Sequence, residues 1–353
     1  METKIRPRRD VFDSFAPNTS NSPQPSFFAT QTNMPSTPPT PTPTPTMLSW
    51  KTSRRTISIE DRPRVMGILN VTPDSFSDGG RFFGNTELPS GSAVSKCGDL
   101  SEELRVEAAV AAGLQMQADG ADIIDIGGES TRPYSTPVDE ATETARVAPV
   151  IAALAVRLDI PISIDTSKAS VASAAIDAGA EIINDVTGLE GDPKMAELAK
   201  QSGVGVCVMH MRGTPQTMQD DPTYENVVEE IRDYLIARRD ACLSFGIELE
   251  KICLDPGVGF GKTHDHNFKL IRGIHRFTDL GCACLIGHSR KGFIRKRLAA
   301  FTETSGREFN PMAGTLGVSL AAAAAGAHLI RVHDVAETVQ AIEMFNACKP
   351  THD

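Results

Sequence analysis

Carboxylates and amides recur in this chain where apolar runs end, and their types suit a site that binds a ligand more than one that attacks it. Asp125 lies in IIDIGG, Asp165 closes ISID, Asn184 and Asp185 close EIIND, and Asp255 closes ICLD. An unpaired charge at the edge of an apolar core costs on the order of several kcal/mol, so a set of such groups calls for partners or a ligand. Taken singly, each suits a cap on the following helix, and for Asp185 that reading stands level with a binding role. Asp125 and Asp165 are followed by more loop before a helix can begin. Near the other end of the chain, Arg331 and His333 alternate along HLIRVHD. In extended backbone both side chains point to one side and offer two donors to an anion. No Ser/His/Asp or Cys/His arrangement has a recognisable nucleophile context.

Eight short apolar runs deliver these residues: VMGILN (65–70), DIIDIG (122–127), PISID (161–165), EIIND (181–185), GVCVMH (205–210), ICLD (252–255), ACLIG (283–287) and HLIRVHD (328–334). The first reads as a strand covered on both faces, as in a parallel sheet. Helical patterns lie between them at Glu102–Asp119, Glu140–Arg157, Val171–Ala178, Pro193–Gln201 and Tyr224–Phe245, and Ala336–Ala347 follows the last. This rhythm predicts an α/β fold, a (β/α)8 TIM barrel over residues 57–348. The rival, an open doubly wound sheet, should carry a phosphate-binding glycine fingerprint after its first strand, and TPDSFSDGG does not supply it. In barrels, polar groups at the carboxyl ends of strands form the site, and phosphates bind after the last strands, where Arg331 and His333 fall. The first run ends at Asn70, and Pro73 bars the ladder from continuing.

A net charge of −10 and a pI near 5.4 argue against nucleic acid as a partner, so any anionic substrate must be held by local positive charge. No apolar run is long enough to cross a membrane. Seven cysteines without a C-x-x-C pair fit a reducing compartment, the cytoplasm, with Cys282 and Cys284 as core residues. Residues 1–47, with PSTPPTPTPTPT, lack the apolar periodicity of a core and are expected to be a disordered Pro/Thr/Ser-rich extension. Arg6, Arg8 and Arg9 suggest an organelle transit peptide, against which Glu2, Asp10 and Asp13 weigh. Met47 offers a second candidate start.

MGILNVTPDSFSDGG (66–80) resembles the opening signature of the dihydropteroate synthases. GGESTRP (127–133), IDTSKASVASAAIDAGAEIINDVTG (164–188), MHMRGTP (209–215), DPGVGFGK (255–262), GHSRKGFI (287–294) and IRVHDV (330–335) resemble the later signatures in the same order. The resemblance covers nearly all of 62–347. It implies an enzyme that joins 6-hydroxymethyl-7,8-dihydropterin pyrophosphate to 4-aminobenzoate, giving 7,8-dihydropteroate and pyrophosphate in folate biosynthesis. The implied pterin ligands are Asp125, Asp165, Asn184, Asp255 and Lys291. Such a set is sensible, because carboxylates accept from the pterin amino group and ring NH while a lysine donates to its carbonyl. Read alone, Lys291 is a solvated lysine at a helix start. The resemblance assigns pyrophosphate to Thr131, Arg132, Arg331 and His333, with Asn70 helping to hold Mg²⁺. It puts Ser289 beside the aminobenzoate and leaves that pocket to Thr72, Phe76 and Pro133.

The implied chemistry is dissociative: pyrophosphate leaves the pterin methylene and the arylamine attacks a ring-stabilised cation. Asp125, Arg132, Lys291, Arg331 and His333 are then the implied catalytic set, acting on developing charge. The arylamine, or a sulfonamide in its place, is expected to bind second, after pyrophosphate orders loops 71–80 and 128–138. Residues 81–100 form a longer link than the family's usual one, and Tyr134 stands where a small residue commonly follows STRP. Family members are dimers through late barrel helices, and AGTLGVSLAAAAAGAH (313–328) is rich enough in small residues for close helix contact, so a homodimer is expected. Two further readings are a methyltetrahydrofolate-binding barrel serving a corrinoid protein and a catalytically silent paralogue kept as a binding partner. The first should lack STRP, SRKGF and the R-V-H pair, and the second should have lost an anion-site residue. This sequence has all of them.

Overall fold

Eight parallel strands close into a barrel in the computed structural model, which describes residues 48–72, 102–132 and 134–349. A hairpin of β1 (Ser49–Lys51) and β2 (Thr56–Ser58) comes first. The barrel strands are β3 (Arg64–Asn70), β4 (Ile123–Gly127), β5 (Ile162–Asp165), β6 (Ile182–Asp185), β7 (Gly205–Met209), β8 (Ile252–Asp255), β9 (Ala283–Gly287) and β10 (Leu329–Val332). They pair in chain order, and β10 pairs with both β3 and β9, which closes the ring and excludes an open doubly wound sheet. Helices α1 (Glu102–Ala118), α2 (Glu140–Ala155), α3 (Ala169–Ala178), α4 (Met195–Ser202) and α5 (Val227–Phe245) follow the predicted pattern. So does α10 (Val335–Ala347), whereas α6 (His264–Arg272), α7 (His275–Thr278) and α8 (Gly292–Ser305) are additions to it. Helix α9 (Pro311–Ala324) takes up most of the small-residue run. Strand β10 stops short of the apolar run because the His333 backbone N–H turns aside to donate to Ser289 Oγ at 3.2 Å.

Side chains alternate between the two faces of each strand. Val65, Leu69, Ile124, Ile126, Ile164, Val206, Leu254 and Ile330 face the helices and pack in the larger apolar cluster. The alternate residues Met66, Ile123, Ile182, Cys207, Cys253, Leu285 and Leu329 form a second cluster inside the barrel. Two residues further along the same inner faces, Ile123 gives way to Asp125, Ile182 to Asn184, Cys253 to Asp255 and Leu329 to Arg331. The interior is therefore an apolar floor under a polar layer at the carboxyl ends of the strands.

The hairpin seals that floor. Trp50 is 0% exposed, packs with the inner cluster and donates from Nε1 to Lys251 O at 3.0 Å. Buried Glu181 accepts from Thr52 Oγ1 at 2.7 Å and pairs with Arg55 at 3.1 Å, fixing the hairpin from below. The hairpin was not among the strands read in the sequence, the first of which begins at 65. Three-residue strands are too short to show a period. Among the described residues, no helix is long and apolar enough to cross a membrane, and Cys282 and Cys284 are buried.

Trp50→Ala should destabilise the barrel by about 3–5 kcal/mol, the cost of emptying a large buried site. Trp50→Phe should cost about 1–3 kcal/mol, because it strands the Lys251 carbonyl without its donor. Chemical denaturation of the three proteins checks this, and equal midpoints would show that the hairpin does not seal the core.

Candidate active site

The polar layer is organised by Arg331, which reaches across the barrel from β10. Its Nε donates to Asp125 Oδ2 at 2.6 Å and its Nη2 to Asp165 Oδ2 at 2.7 Å. Asn184 Nδ2 also donates to Asp125 Oδ2, at 3.0 Å. Among the described residues, the second oxygens of both carboxylates, Asp125 Oδ1 and Asp165 Oδ1, are buried without a hydrogen-bond donor. Two buried acceptors on carboxylates that share one arginine suit a ligand with an amino group and a ring NH. Burial pushes the Asp165 carboxyl up to about 7 with Arg331 opposing, while Asp125 adds to the rise. Burial also works against the Arg331 charge, but the two aspartates outweigh it and hold the guanidinium charged.

Opposite this cluster, Asp255 ends β8 and accepts from Gly257 N at 2.7 Å. Lys291, at the start of α8, donates to Val258 O and sits 4.3 Å from the centroid of the Phe260 ring. The lysine stem runs against Gly259, where a Cβ would come within 2.6 Å of Lys291 Cδ at a φ of +90°. Only glycine fits both the backbone and the space. Burial brings Lys291 down to about 7 against the pull of Asp255. Beneath the loop, buried Lys262 bonds to Phe260 O at 2.8 Å and meets His210 Nδ1 at 2.9 Å, bracing the segment that carries Val258 and Phe260.

The predicted anion residues lie along the neighbouring rim. His333 Nδ1 is 3.0 Å from Ser289 Oγ. Burial, reinforced by Arg290, Arg331, Arg132 and Lys291, lowers His333 to about 3, so the ring is neutral at physiological pH. Arg290 pairs with Asp334 at 3.1 Å and ties the last two loops together. Asn70, Gly127, Asp165 and Asn184 stand in register on successive strands. Thr131 is partly exposed and Arg132 exposed on the loop after β4. Thr72 is described just past β3, while Phe76, Pro133 and the link 81–100 lie outside the described residues.

Tyr134 sits at a φ of +63°, a left-handed setting that strains a residue with a Cβ. Its N–H donates to Pro215 O at 3.1 Å, and Gln216 Nε2 donates to Ser135 O at 3.3 Å, joining the loops after β4 and β7. Asp185, next to Asn184, turns away from the ligand layer. It accepts from Thr187 N at 2.7 Å and Leu189 N at 3.1 Å, which settles it as a turn residue. Sequence reasoning passed over Lys262, His210 and Phe260. The signal available was an aromatic and a lysine inside a glycine-rich segment after a strand end.

The profile of pterin binding enzymes matches residues 90–333. The dihydropteroate synthase of Escherichia coli (strain K12) is 41% identical over 285 residues, 81% of this chain and 91% of that protein. A Xanthomonas albilineans dihydropteroate synthase structure with 4-aminobenzoic acid has a TM-score of 0.71 and 41% identity, covering 86% of this chain and 100% of that one. Another from that organism, in complex with 7,8-dihydropteroate, has a TM-score of 0.68 and 38% identity, with coverage of 86% and 100%. With its closed barrel and matching strand-end motifs, the chain belongs to the dihydropteroate synthase family of pterin-binding enzymes.

Proposed function

We propose that this chain condenses 6-hydroxymethyl-7,8-dihydropterin pyrophosphate with 4-aminobenzoate to give 7,8-dihydropteroate and pyrophosphate. The observation that carries this reading is the pair of buried, undonated oxygens on Asp125 and Asp165, held in place by one arginine. They accept the pterin's ring NH and amino group, Asn184 and Asp255 flank them, and Lys291 donates to the ring carbonyl. In a chain of net charge −10, four cations act on His333, which suits the departing pyrophosphate. Thr131, Arg132, Arg331 and His333 are assigned to it. Ser289, bonded to His333, is assigned to the arylamine side with Thr72, Phe76 and Pro133.

In the reaction, the bond between the pterin methylene and the pyrophosphate oxygen breaks, with its electron pair going to the phosphate. The amine nitrogen of 4-aminobenzoate then forms the C–N bond and loses its proton to solvent. Asp125 stabilises the cationic ring, and the arginines and Lys291 receive the departing charge. Asn70 offers one hard oxygen, and no group of three His, Cys, Asp or Glu is poised for a metal among the described residues. That suits Mg²⁺, which takes few protein ligands and completes its shell with substrate phosphates and water. When bound, it supplies further neutralisation of the leaving group. Among the described residues five cysteines are buried and unbridged, which suits a reducing compartment such as the cytoplasm.

Dihydropteroate should form from the two substrates with magnesium, and no product under any condition would sink the assignment. Asp165→Ala should weaken pterin and its pyrophosphate ester alike, by about 1.5–3 kcal/mol for a charged acceptor. Arg132→Ala should weaken only the ester. Arg331→Ala should weaken both, because it leaves Asp125 and Asp165 buried together without their counter-charge. Titration calorimetry with both ligands separates the three outcomes.

Binding of inorganic pyrophosphate should also take up protons. An anion favours the charged forms of Lys291 and His333 and so raises both from about 7 and about 3. Uptake occurs between the free and bound pKa values, and affinity falls as pH rises above about 7, through the window opened by Lys291. Calorimetry at slightly alkaline pH in buffers of different ionisation enthalpy measures the uptake. Zero uptake would remove Lys291 from the anion's surroundings.

Helix α9 leaves Ala313, Gly317, Ala321 and Ala324 exposed on one stripe, and a Cβ on Gly317 would meet nothing within 4 Å. This supports a homodimer through that helix. Sedimentation should report a dimer at micromolar concentration and a monomer for Gly317→Arg, and a wild-type monomer would retire the idea.

A further inference from the structure

We infer that Lys168 is a positioning residue for the reaction, a strut that sets the loop carrying Thr131 and Arg132 at the height where both meet the departing pyrophosphate. The inference rests on the proposed role of those two residues. The loop leaves β4 through Gly128, whose backbone lies directly on α2. A Cβ there would come within 2.8 Å of Val147 Cγ1 and 3.1 Å of Glu143 Cγ. Arg146 Nη1 holds the same spot by donating to Gly128 O at 2.8 Å. The next residue, Glu129, accepts from Val138 N at 3.2 Å with Oε1 and from Lys168 Nζ with Oε2. Lys168 Nζ also donates to Glu143 Oε2 at 2.5 Å.

One ammonium therefore joins the loop after β4, helix α2 and the segment leaving β5, where Lys168 follows Asp165 by three positions and immediately precedes α3. Glu143 is 1% exposed, and among the described residues its Oε1 has no partner, so its one ion pair is with Lys168. Burial opposes the Lys168 charge, but the bonds to Glu129 and Glu143 outweigh it and keep the ammonium above the ordinary lysine pKa. Two carboxylates share one cation. Without it they repel at close range, and Glu129, on a loop while Glu143 is fixed in α2, is the one that must move. Thr131 and Arg132 follow it by two and three positions and would move with it.

The test compares binding of the pterin pyrophosphate with binding of the same pterin lacking phosphates, alongside kcat. Lys168→Met should lower the preference for the ester by about tenfold to a hundredfold, with phosphate-free pterin changed by less than about twofold, as for a misplaced loop away from the bound ring. Lys168→Arg, which keeps the charge and both bonds, should restore most of the preference. An unchanged preference, or equal loss for both ligands, would overturn the inference. If Lys168→Met does not fold, Glu129→Gln is judged by the same preference. Arg132→Ala is the control: a preference unmoved in that variant would remove the assignment of the loop to pyrophosphate, and this inference with it.

Discussion

A single guanidinium clasped by two carboxylates inside a closed barrel is the interaction on which the site depends. Arg331 is 206 residues from Asp125 and 166 from Asp165, so the clasp exists only once β10 has come round to pair with β3. Closure of the fold and assembly of the ligand layer are one event. Contacts of such sequence separation make folding slow. The clasp is a poor source of stability, since desolvating three charges offsets most of their attraction. What it supplies is position: it engages one oxygen of each aspartate and, among the described residues, leaves the other buried without a donor.

Stability comes from the floor beneath. Met66, Ile123, Ile182, Leu285 and Leu329 fill the lower barrel, and Trp50 closes it from outside the strands. This division lets the upper layer hold groups that would be ruinous elsewhere, including Lys262 and Lys291, whose ammonium groups lean on backbone carbonyls. The glycine-rich segment after β8 brings those carbonyls close enough to do so.

Much of this was legible in the chain. Apolar runs ending in Asp or Asn gave the strands and the polar groups at their carboxyl ends because the buried parallel strand has a plain signature. What could not be read was which neighbour faces the barrel interior: Asn184 and Asp185 differ by one position, and only the register turns one inward to Asp125 and the other into a turn. Arg331 reads as an anion donor, and nothing local reveals its bonds to Asp125 and Asp165 across the barrel. Lys168 and Glu129 look like solvated loop charges because their partners are far off in sequence, Glu143 lying 25 residues from Lys168. The hairpin at Ser49–Ser58 was invisible for want of length.

Tyr134 has a bearing on how this enzyme tolerates change. Its bonds to Pro215 O and, at 3.4 Å, to Asp220 stitch together two loops 86 residues apart in the chain. The loops after β4 and β7 are therefore held to one another. A replacement at Pro215 or Gln216 alters the setting in which Tyr134 bears its left-handed backbone, and a glycine at 134 removes the reason for that strain along with the tyrosyl bond. Substitutions on the two loops will therefore show epistasis, each one's effect depending on the residue already present on the other.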